Sequence, residues 1–270
     1  MKIPLFQIDA FTDTVFRGNP AAVCPMEKWP AEAVMQSIAA ENNVPETAFF
    51  VGGEGRFKLR WFTPVQEVDL CGHATLAAAW VIFNFMDKKL AKVSFSTKSG
   101  ALSVTRAGQG MLAMDFPARP AEPVKAPEAL VAGLGAEPAE VLAARDYLCV
   151  FESEKQVRAL KPDMGRLREL DRMGVIATAR GDTVDFVSRF FAPKVGIPED
   201  PVTGSAHCTL VPYWTDRLGK DQLHAQQVSR RGGELFCIAR GMRVVIAGRA
   251  VLYMRGAVDL PLKGEKEKKA

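Results

Sequence analysis

The segment EDPVTGSAHCTL (Glu199–Leu210) decides the fold, because DLCGHATL (Asp69–Leu76) reads as a shorter copy of it. Each places an Asp, then a Gly followed by Ser or His, then an Ala, then an apolar run. Aligned on their glycines, Gly72 and Gly204 stand 132 residues apart. Upstream, RWFTP (Arg60–Pro64) matches RFFAP (Arg189–Pro193) at a separation of 129, so the second copy carries three extra residues before its glycine. A repeated order of strand, proline turn, acidic loop, glycine and apolar helix predicts an internal duplication. The period is too long for a solenoid. Two domains of like fold, related by a pseudo-two-fold axis, are expected.

Around the repeat most segments have strand character: PLFQIDAF, RFKLRWF, KVSFST, ALSVTRA, GMLAMDF, DFVSRFF, RVVIAGRAVLYM and GAVDL, with KSG, AGQG and AGR as turns. Two helices stand out. Pro30–Glu41 has a proline in its first turn and sets Val34, Met35 and Ile38 on one face. Gly72–Met86 is apolar on every side, which predicts a helix buried all round. The fold class expected is α+β, with strands wrapped around one buried helix, twice. The join is placed in the Pro/Ala-rich segment Pro117–Ala129, giving domains 1–118 and 119–270, with the last strand able to return to the first domain.

The composition sets outer limits. The 270 residues suit two domains, with 48% hydrophobic and 24% charged residues and a mean hydropathy near zero. No apolar run of about 18 residues predicts a membrane span. MKIPLFQIDAF reads as a first strand and not as a signal peptide. Part of the net charge of +4 sits in KGEKEKKA, a solvated tail. No other basic block interleaves with aromatics, so nucleic acid is not an expected partner. The five scattered cysteines show no CxxC or His/Cys ligand spacing, so no metal is expected, and a reducing cytoplasm is the simplest location.

The two glycines suggest chemistry. The first turn of a helix has backbone N–H groups without intrahelical partners, and the macrodipole adds partial positive charge there. Glycine lets a ligand approach that backbone. One such terminus is an ordinary anion site. Two of them could clamp one carboxylate-bearing small molecule from both sides.

At this point the chain resembles the PhzF-like phenazine-biosynthesis isomerase family, within the diaminopimelate epimerase-like folds. The motifs are DAFTDTVFRGNPAAV (Asp9–Val23), NNVPETAFF (Asn42–Phe50), RWFTPVQEVDLCGHATLA (Arg60–Ala77), RFFAPKVGIPEDPVTGSAH (Arg189–His207) and SRRGGEL (Ser229–Leu235). The likeness is strongest to the subgroup that includes the human phenazine-biosynthesis-like domain protein. The resemblance implies two β-barrels, each around a central helix, a site in the cleft between them, homodimers and no cofactor. It implies that Glu46 does the acid–base work, with His73 and Asp200 as catalytic partners and with Gly72, Gly204 and Ser205 binding substrate.

The residues support these roles unevenly. Glu46 lies among Pro and apolar neighbours, where partial desolvation suits a group that gives and takes a proton. Asp200 precedes a proline and is biased to extended backbone. Ser205 has two competing uses, as a helix cap and as a substrate donor. His207 reads equally as a site residue or a packed one, and His224 as structural or surface. Arg230 and Arg231 could attract an anion, or their neighbours Gly232 and Gly233 could simply shape a hairpin. Racemases of the same fold group place a cysteine before each glycine; here those positions are Cys71 and Thr203. A threonine hydroxyl is no base at neutral pH, so single-base isomerisation is expected, and Cys71 reads as a small buried residue. An epimerase and a non-catalytic binding or scaffold protein are the alternatives.

Overall fold

The computed structural model describes residues 1–260; the basic tail Lys263–Ala270 lies outside them. The chain divides into two compact units. The first takes Met1–Ala10, Pro20–Thr105 and the segment that begins at Ala250; the second takes Phe11–Asn19 and Arg106–Arg249. No helix among the described residues is long and apolar enough to cross a membrane.

The first unit contains β1 (Lys2–Ala10), β2 (Asn19–Met26), α1 (Glu32–Asn42), β3 (Glu46–Gly53), β4 (Arg56–Phe62), β5 (Glu67–Val68), α2 (Gly72–Val81), β6 (Lys92–Thr97) and β7 (Gly100–Arg106), plus the chain's last strand, Ala250–Asp259. β2 runs parallel to β3, β3 antiparallel to β4, β4 parallel to β6 and β6 antiparallel to β7. Side chains alternate faces along β3. Thr47 and Phe49 meet α1, where Asn42 Nδ2 donates to Thr47 Oγ1 and Phe49 joins Met35 and Ile38 in one cluster. Glu46 and Ala48 therefore point to the other face. That face belongs to α2, whose Ala74, Leu76, Ala77, Ala78 and Ala79 are fully buried.

The buried helix is shorter than the sequence predicts. The α-helical turns stop at Val81, and Ile82–Met86 continue as a π-helical turn. Phe83 is fully buried, whereas Phe85 and Met86 are exposed. The wider turn swings these last side chains outward, as such turns do when they break the 3.6-residue spacing.

The second unit contains β8 (Leu112–Pro117), β9 (Glu122–Pro123), α3 (Glu128–Leu134), β10 (Glu140–Ala143), β11 (Tyr147–Val150), α4 (Glu154–Ala159), α5 (Met164–Arg168), β12 (Val175–Arg180), β13 (Phe186–Ala192), β14 (Ile197–Asp200), α6 (His207–Leu218), β15 (Gln222–Gln227), β16 (Gly233–Arg240) and β17 (Arg243–Gly248). Its ladders repeat the first unit's alternation: β11 parallel to β12, β12 antiparallel to β13, β13 parallel to β15, β15 antiparallel to β16. α3, α4 and α5 cover one face through Leu130, Leu134, Val157 and Leu167. On α6, Trp214 stacks on Phe186 at 5.7 Å.

One boundary differs from the expected one. The units part at Thr105 and not in Pro117–Ala129, because β8 is laddered to β17, with Met114 opposite Ile246. The run RVVIAGRAVLYM is two strands, parted at its AGR turn. β17 ends at Gly248, and the last strand, β18 (Ala250–Asp259), pairs antiparallel with β1. At the break, Arg249 C=O accepts from Phe11 N at 2.8 Å, and a Cβ on Gly248 would lie 2.5 Å from the Phe11 ring. Only glycine lets the chain pass there.

The duplication is legible in ion pairs. Arg60 Nε and Nη2 donate to the two carboxylate oxygens of Glu67 at 2.7 Å each. Arg189 Nε and Nη2 donate to those of Glu199 at 2.7 and 3.0 Å. Glu67 and Glu199 each stand five residues before their glycine. The three extra residues of the second copy fall between arginine and glutamate, in the 3₁₀ turn Pro193–Val195 and Gly196. The Arg60 fork outweighs the cost of burial and, with Lys98, holds the Glu67 carboxyl at about 2. Bidentate pairs of this kind fix geometry, here that of each hairpin leading into a glycine.

Candidate active site

In the first unit the first residue of β3 meets the first turn of α2. Glu46 Oε2 lies 3.0 Å from His73 Nε2, with both side chains about nine-tenths buried. The pair sits at ion-pair distance without the alignment of a full hydrogen bond at Oε2. Cys71 caps α2 in extended backbone, with its Sγ 3.5 Å from His73 Nδ1. Gly72 opens the helix. Thr75 Oγ1 donates back to Cys71 C=O at 2.6 Å, which fixes the first turn.

The electrostatics of this group favour one proton arrangement. Burial pushes His73 toward the neutral form, but the facing Cys71 and Glu46 outweigh it, and its pKa lies well above 6.5. Cys71 is itself pushed up to about 11, first by burial and then by the Glu46 charge. At neutral pH it is therefore a thiol, which faces His73 Nδ1 at 3.5 Å, while the Glu46 carboxyl faces Nε2 at 3.0 Å. A carboxylate beside an imidazolium can exchange a proton with a bound molecule while the neighbouring charge stays fixed.

In the second unit Asp200 ends β14. Asn19 Nδ2 donates to its Oδ1 at 2.8 Å, and Thr203 Oγ1 donates to its Oδ2 at 2.5 Å. Thr203 is fixed further by Gln227, whose Oε1 accepts from Thr203 N at 2.8 Å. Its hydroxyl proton is committed to Asp200. Gly204 opens a 3₁₀ turn, Gly204–Ala206, and α6 starts only at His207. Gly204 is thus not the first residue of the α-helix. Ser205 makes no cap; its Oγ accepts from Arg145 Nη2 at 3.1 Å, with Arg145 itself on Asp146. Pro212 inside α6 frees the Cys208 carbonyl, which accepts from Arg119 N at 2.8 Å.

The structure thus brings Glu46, Gly72 and His73 together in one unit, and Asp200, Gly204 and Ser205 together in the other. His207 is fully buried in the second unit, with Nδ1 2.9 Å from Thr203 C=O. His224 is stacked on Phe236 at 4.6 Å. Arg231 is structural: Nε and Nη2 donate to Gly18 C=O and Arg17 C=O at 2.8 and 2.9 Å. Gly232 has φ of +67°, and a Cβ on Gly233 would lie 3.0 Å from Phe11 C=O. Both glycines shape this hairpin.

Asn19, Gln227 and Arg145 were not visible as site residues in the sequence. Asn19 lies inside the quoted motif RGNP, but its partner is 181 residues away. The sequence carries no ligand spacing at one further grouping. Glu46, Cys71 and His73 bring one potential ligand atom each within 4.8 Å of the others.

The register gives the second-copy counterpart of Glu46. Thr47 pairs with Phe62, and Val175 pairs with Phe191, which stands 129 residues after Phe62 as Arg189 does after Arg60. Glu46 precedes Thr47; Gly174 precedes Val175. A Cβ at Gly174 would lie 2.5 Å from the Phe190 ring. The second copy therefore has glycine, threonine and serine where the first has Glu46, Cys71 and His73.

Comparison with known proteins places the chain. Residues 8–256 match the family model described as phenazine biosynthesis-like protein. An uncharacterized isomerase of Pseudomonas aeruginosa is 54% identical over 260 residues, which cover 96% of this chain and all of that one. The human phenazine biosynthesis-like domain-containing protein is 40% identical over 96% of this chain and 99% of its own length. A crystal structure of a phenazine biosynthesis protein of the PhzF family from Enterococcus faecalis superposes with a TM-score of 0.94 at 48% identity, covering 96% and 100% of the two chains. A probable proline racemase from Agrobacterium radiobacter shares the fold alone, with a TM-score of 0.66 at 10% identity over 96% and 93% of the chains.

Proposed function

Because the chain belongs to the phenazine biosynthesis-like family, we propose that it is an isomerase that moves a proton along a small carboxylate-bearing substrate with Glu46 as its single acid–base group. The observation that carries this reading is the buried Glu46–His73 pair at 3.0 Å. The Glu46 carboxylate accepts a proton from a carbon next to an electron-withdrawing group. The electron pair left behind spreads over the conjugated acid as an enolate-like anion. The His73 imidazolium offers that anion an N–H and a positive charge. Glu46, now a neutral acid, returns the proton to a different carbon, so the substrate is isomerised and the protein restored. No other reactant is consumed.

As part of the same proposal, the backbone N–H groups that open α2 at Gly72 bind an anionic group beside Glu46 and His73; in the second unit Gly204 and the Ser205 hydroxyl are the anion-binding groups and Asp200 the one that orients polar substituents. Arg145 donates to Ser205 Oγ, which leaves the serine proton for an acceptor such as a carboxylate. Preorganised donors suit charge that develops during reaction.

The test is a screen of small amino, hydroxy and unsaturated carboxylic acids with the full chain in D₂O, read by mass spectrometry. A compound should gain deuterium and shift to an isomer of the same formula. Exchange that continues undiminished in Glu46→Gln would sink the assignment.

A further inference from the structure

We propose that Arg145, positioned by Asp146, joins Ser205 in a carboxylate-binding site of the second unit and is the residue that makes the site select an acid over its uncharged amide. This deepens the anion-binding role given to Ser205 above and rests on that reading only for the name of the site. Each copy of the repeat sets a carboxylate and a cation near its glycine. In the first they are Glu46 and His73, 3.0 Å apart. In the second, Gly174 stands where Glu46 does and Ser205 where His73 does, and both charges come from the turn between β10 and β11. A Cβ on Gly174 would lie 3.2 Å from Asp146 Oδ1, and Arg145 Nη2 donates to Ser205 Oγ at 3.1 Å. The two pairs differ in one property. An imidazolium gives up its proton within the physiological range, and a guanidinium does not. The second pair is therefore built to hold charge and not to move a proton.

The guanidinium is held by one edge and open on the other. Asp146 is buried, and Arg145 Nε and Nη2 each lie 3.0 Å from its Oδ2. The other Nη2 hydrogen goes to Ser205. Nη1 has no hydrogen-bond or ion-pair partner among the described residues. The Arg145 side chain is 32% exposed and Ser205 is half-buried, so solvent reaches both. The two N–H bonds on the outer edge of a guanidinium run nearly parallel. An oxygen that accepts from Nη1 therefore lies beside Ser205 Oγ, within reach of the hydroxyl proton that Arg145 leaves free. Both donors become charge-assisted when that oxygen belongs to a carboxylate.

The surrounding charge favours an anion. Arg145 is balanced by Asp146, and Arg243 by Asp115. Arg119, whose N donates to Cys208 C=O at 2.8 Å, has no ion pair among the described residues. Burial raises the Cys208 thiol to about 11, and Arg119, Arg145 and Arg243 pull it back, which sets their charge around the first turn of α6. Asp200 is the opposing charge before that turn, and its two oxygens already accept from Asn19 and Thr203.

The experiment uses the full chain labelled with nitrogen-15 and reads two signals by NMR, the Arg145 Nε–Hε and the Ser205 backbone amide. Acetate, fumarate and benzoate are titrated in, with acetamide, fumaramide and benzamide as uncharged matches. At least one acid should shift both signals to saturation, and its amide should shift neither. Read at Ser205, Arg145→Ala should bind that acid roughly 10- to 100-fold more weakly, the range of one hydrogen bond to a charged group. Guanidinium ion added well below denaturing concentration should restore binding, which a merely structural arginine would not allow. Asp146→Asn should move the Arg145 signal and weaken the acid, and the same change made in Arg145→Ala should cost nothing more. No shift at Arg145 with any of the three acids, equal shifts with the amides, or unaltered affinity in Arg145→Ala overturns the proposal. Should Arg145→Ala fail to fold, Arg145→Gln takes its place, and unaltered affinity there is equally fatal. All readings are made without turnover, so they stand or fall apart from the isomerase assignment.

Discussion

Thr75 and His207 do the same work in the two copies of the repeat: each reaches back four residues to the carbonyl of the residue before the glycine. Thr75 Oγ1 lies 2.6 Å from Cys71 C=O, and His207 Nδ1 lies 2.9 Å from Thr203 C=O. Each follows its glycine by three residues. His207 is thus a brace for the turn that carries Gly204 and Ser205, and its placement leaves the proton chemistry to the first copy.

That placement has a consequence for stability. Burial depresses His207 to about 4 from an ordinary 6.5, against the opposing pull of its bond to Thr203. Between those values the unfolded chain binds a proton that the folded chain refuses, so stability is full above pH 6.5 and falls as pH drops toward 4. At about 1.4 kcal/mol per pH unit the loss is about 3 kcal/mol. His73 works in the opposite sense: its stabilisation is complete below pH 6.5 and fades as pH rises through its raised value. Urea unfolding at pH 7 and pH 4 should show the acid loss, and His207→Asn, which keeps a donor near the Nδ1 position, should shrink it by about that amount. An undiminished loss in the variant would place the titration elsewhere.

Replacing Glu46 with Gln keeps the shape and removes the acid–base pair. Turnover of a substrate found by exchange screening should fall about 100-fold or more, the usual scale of general acid–base catalysis. Binding should change far less, because the substrate's carboxylate is not assigned to Glu46. A variant with near-normal turnover would reject the role.

Much of this was readable in the sequence, and the reason is physical. Duplication writes the same local instructions twice, so Arg60 with Arg189 and Gly72 with Gly204 announce a repeated strand, turn and helical entry, although only Gly72 is itself the first residue of an α-helix. What failed to show was non-local. β17 and β18 lie in one stretch, RVVIAGRAVLYM, whose AGR turn the sequence marks, but that the two strands serve different units shows only in their ladders, β17 with β8 and β18 with β1. Gly174 carries no motif, so its correspondence to Glu46 needs the ladder register. The grouping of Glu46 with Cys71 and His73 joins residues 25 apart in the chain, with no spacing rule to mark it.

Asn19 is the strongest test of how Asp200 is held. It is fully buried, and its Nδ2 donates to Asp200 Oδ1 at 2.8 Å and to Val202 C=O at 2.9 Å. Asn19→Ala takes a donor from the half-buried Asp200 carboxylate and strands the buried Val202 carbonyl, the latter at about 1–3 kcal/mol. Thermal unfolding should move down by several degrees. If Asp200 serves the substrate, KM should rise as well; an unchanged KM in a folded variant would leave Asp200 a purely structural acid.

The unequal copies lead to the sharpest prediction. Two-base chemistry needs a proton carrier on each face of the substrate. The first copy offers Glu46 with His73 and Cys71. At the matching positions the second has Gly174, Ser205 and Thr203, the last with its proton given to Asp200 at 2.5 Å. Cys71 is no base either, since its thiol is held at about 11. Cys71→Ala should therefore lose some packing and keep turnover within about tenfold, whereas loss of a group essential in the transition state costs more. The stereochemical outcome is independent of folding. With a chiral substrate in D₂O, the label should enter the product on one face only, and recovered substrate should keep its configuration. Glu46 takes and returns the proton from one side, so nothing inverts the starting centre. Racemised substrate, together with a dead Cys71→Ala enzyme, would reverse this assignment and make the chain an epimerase that uses the thiol.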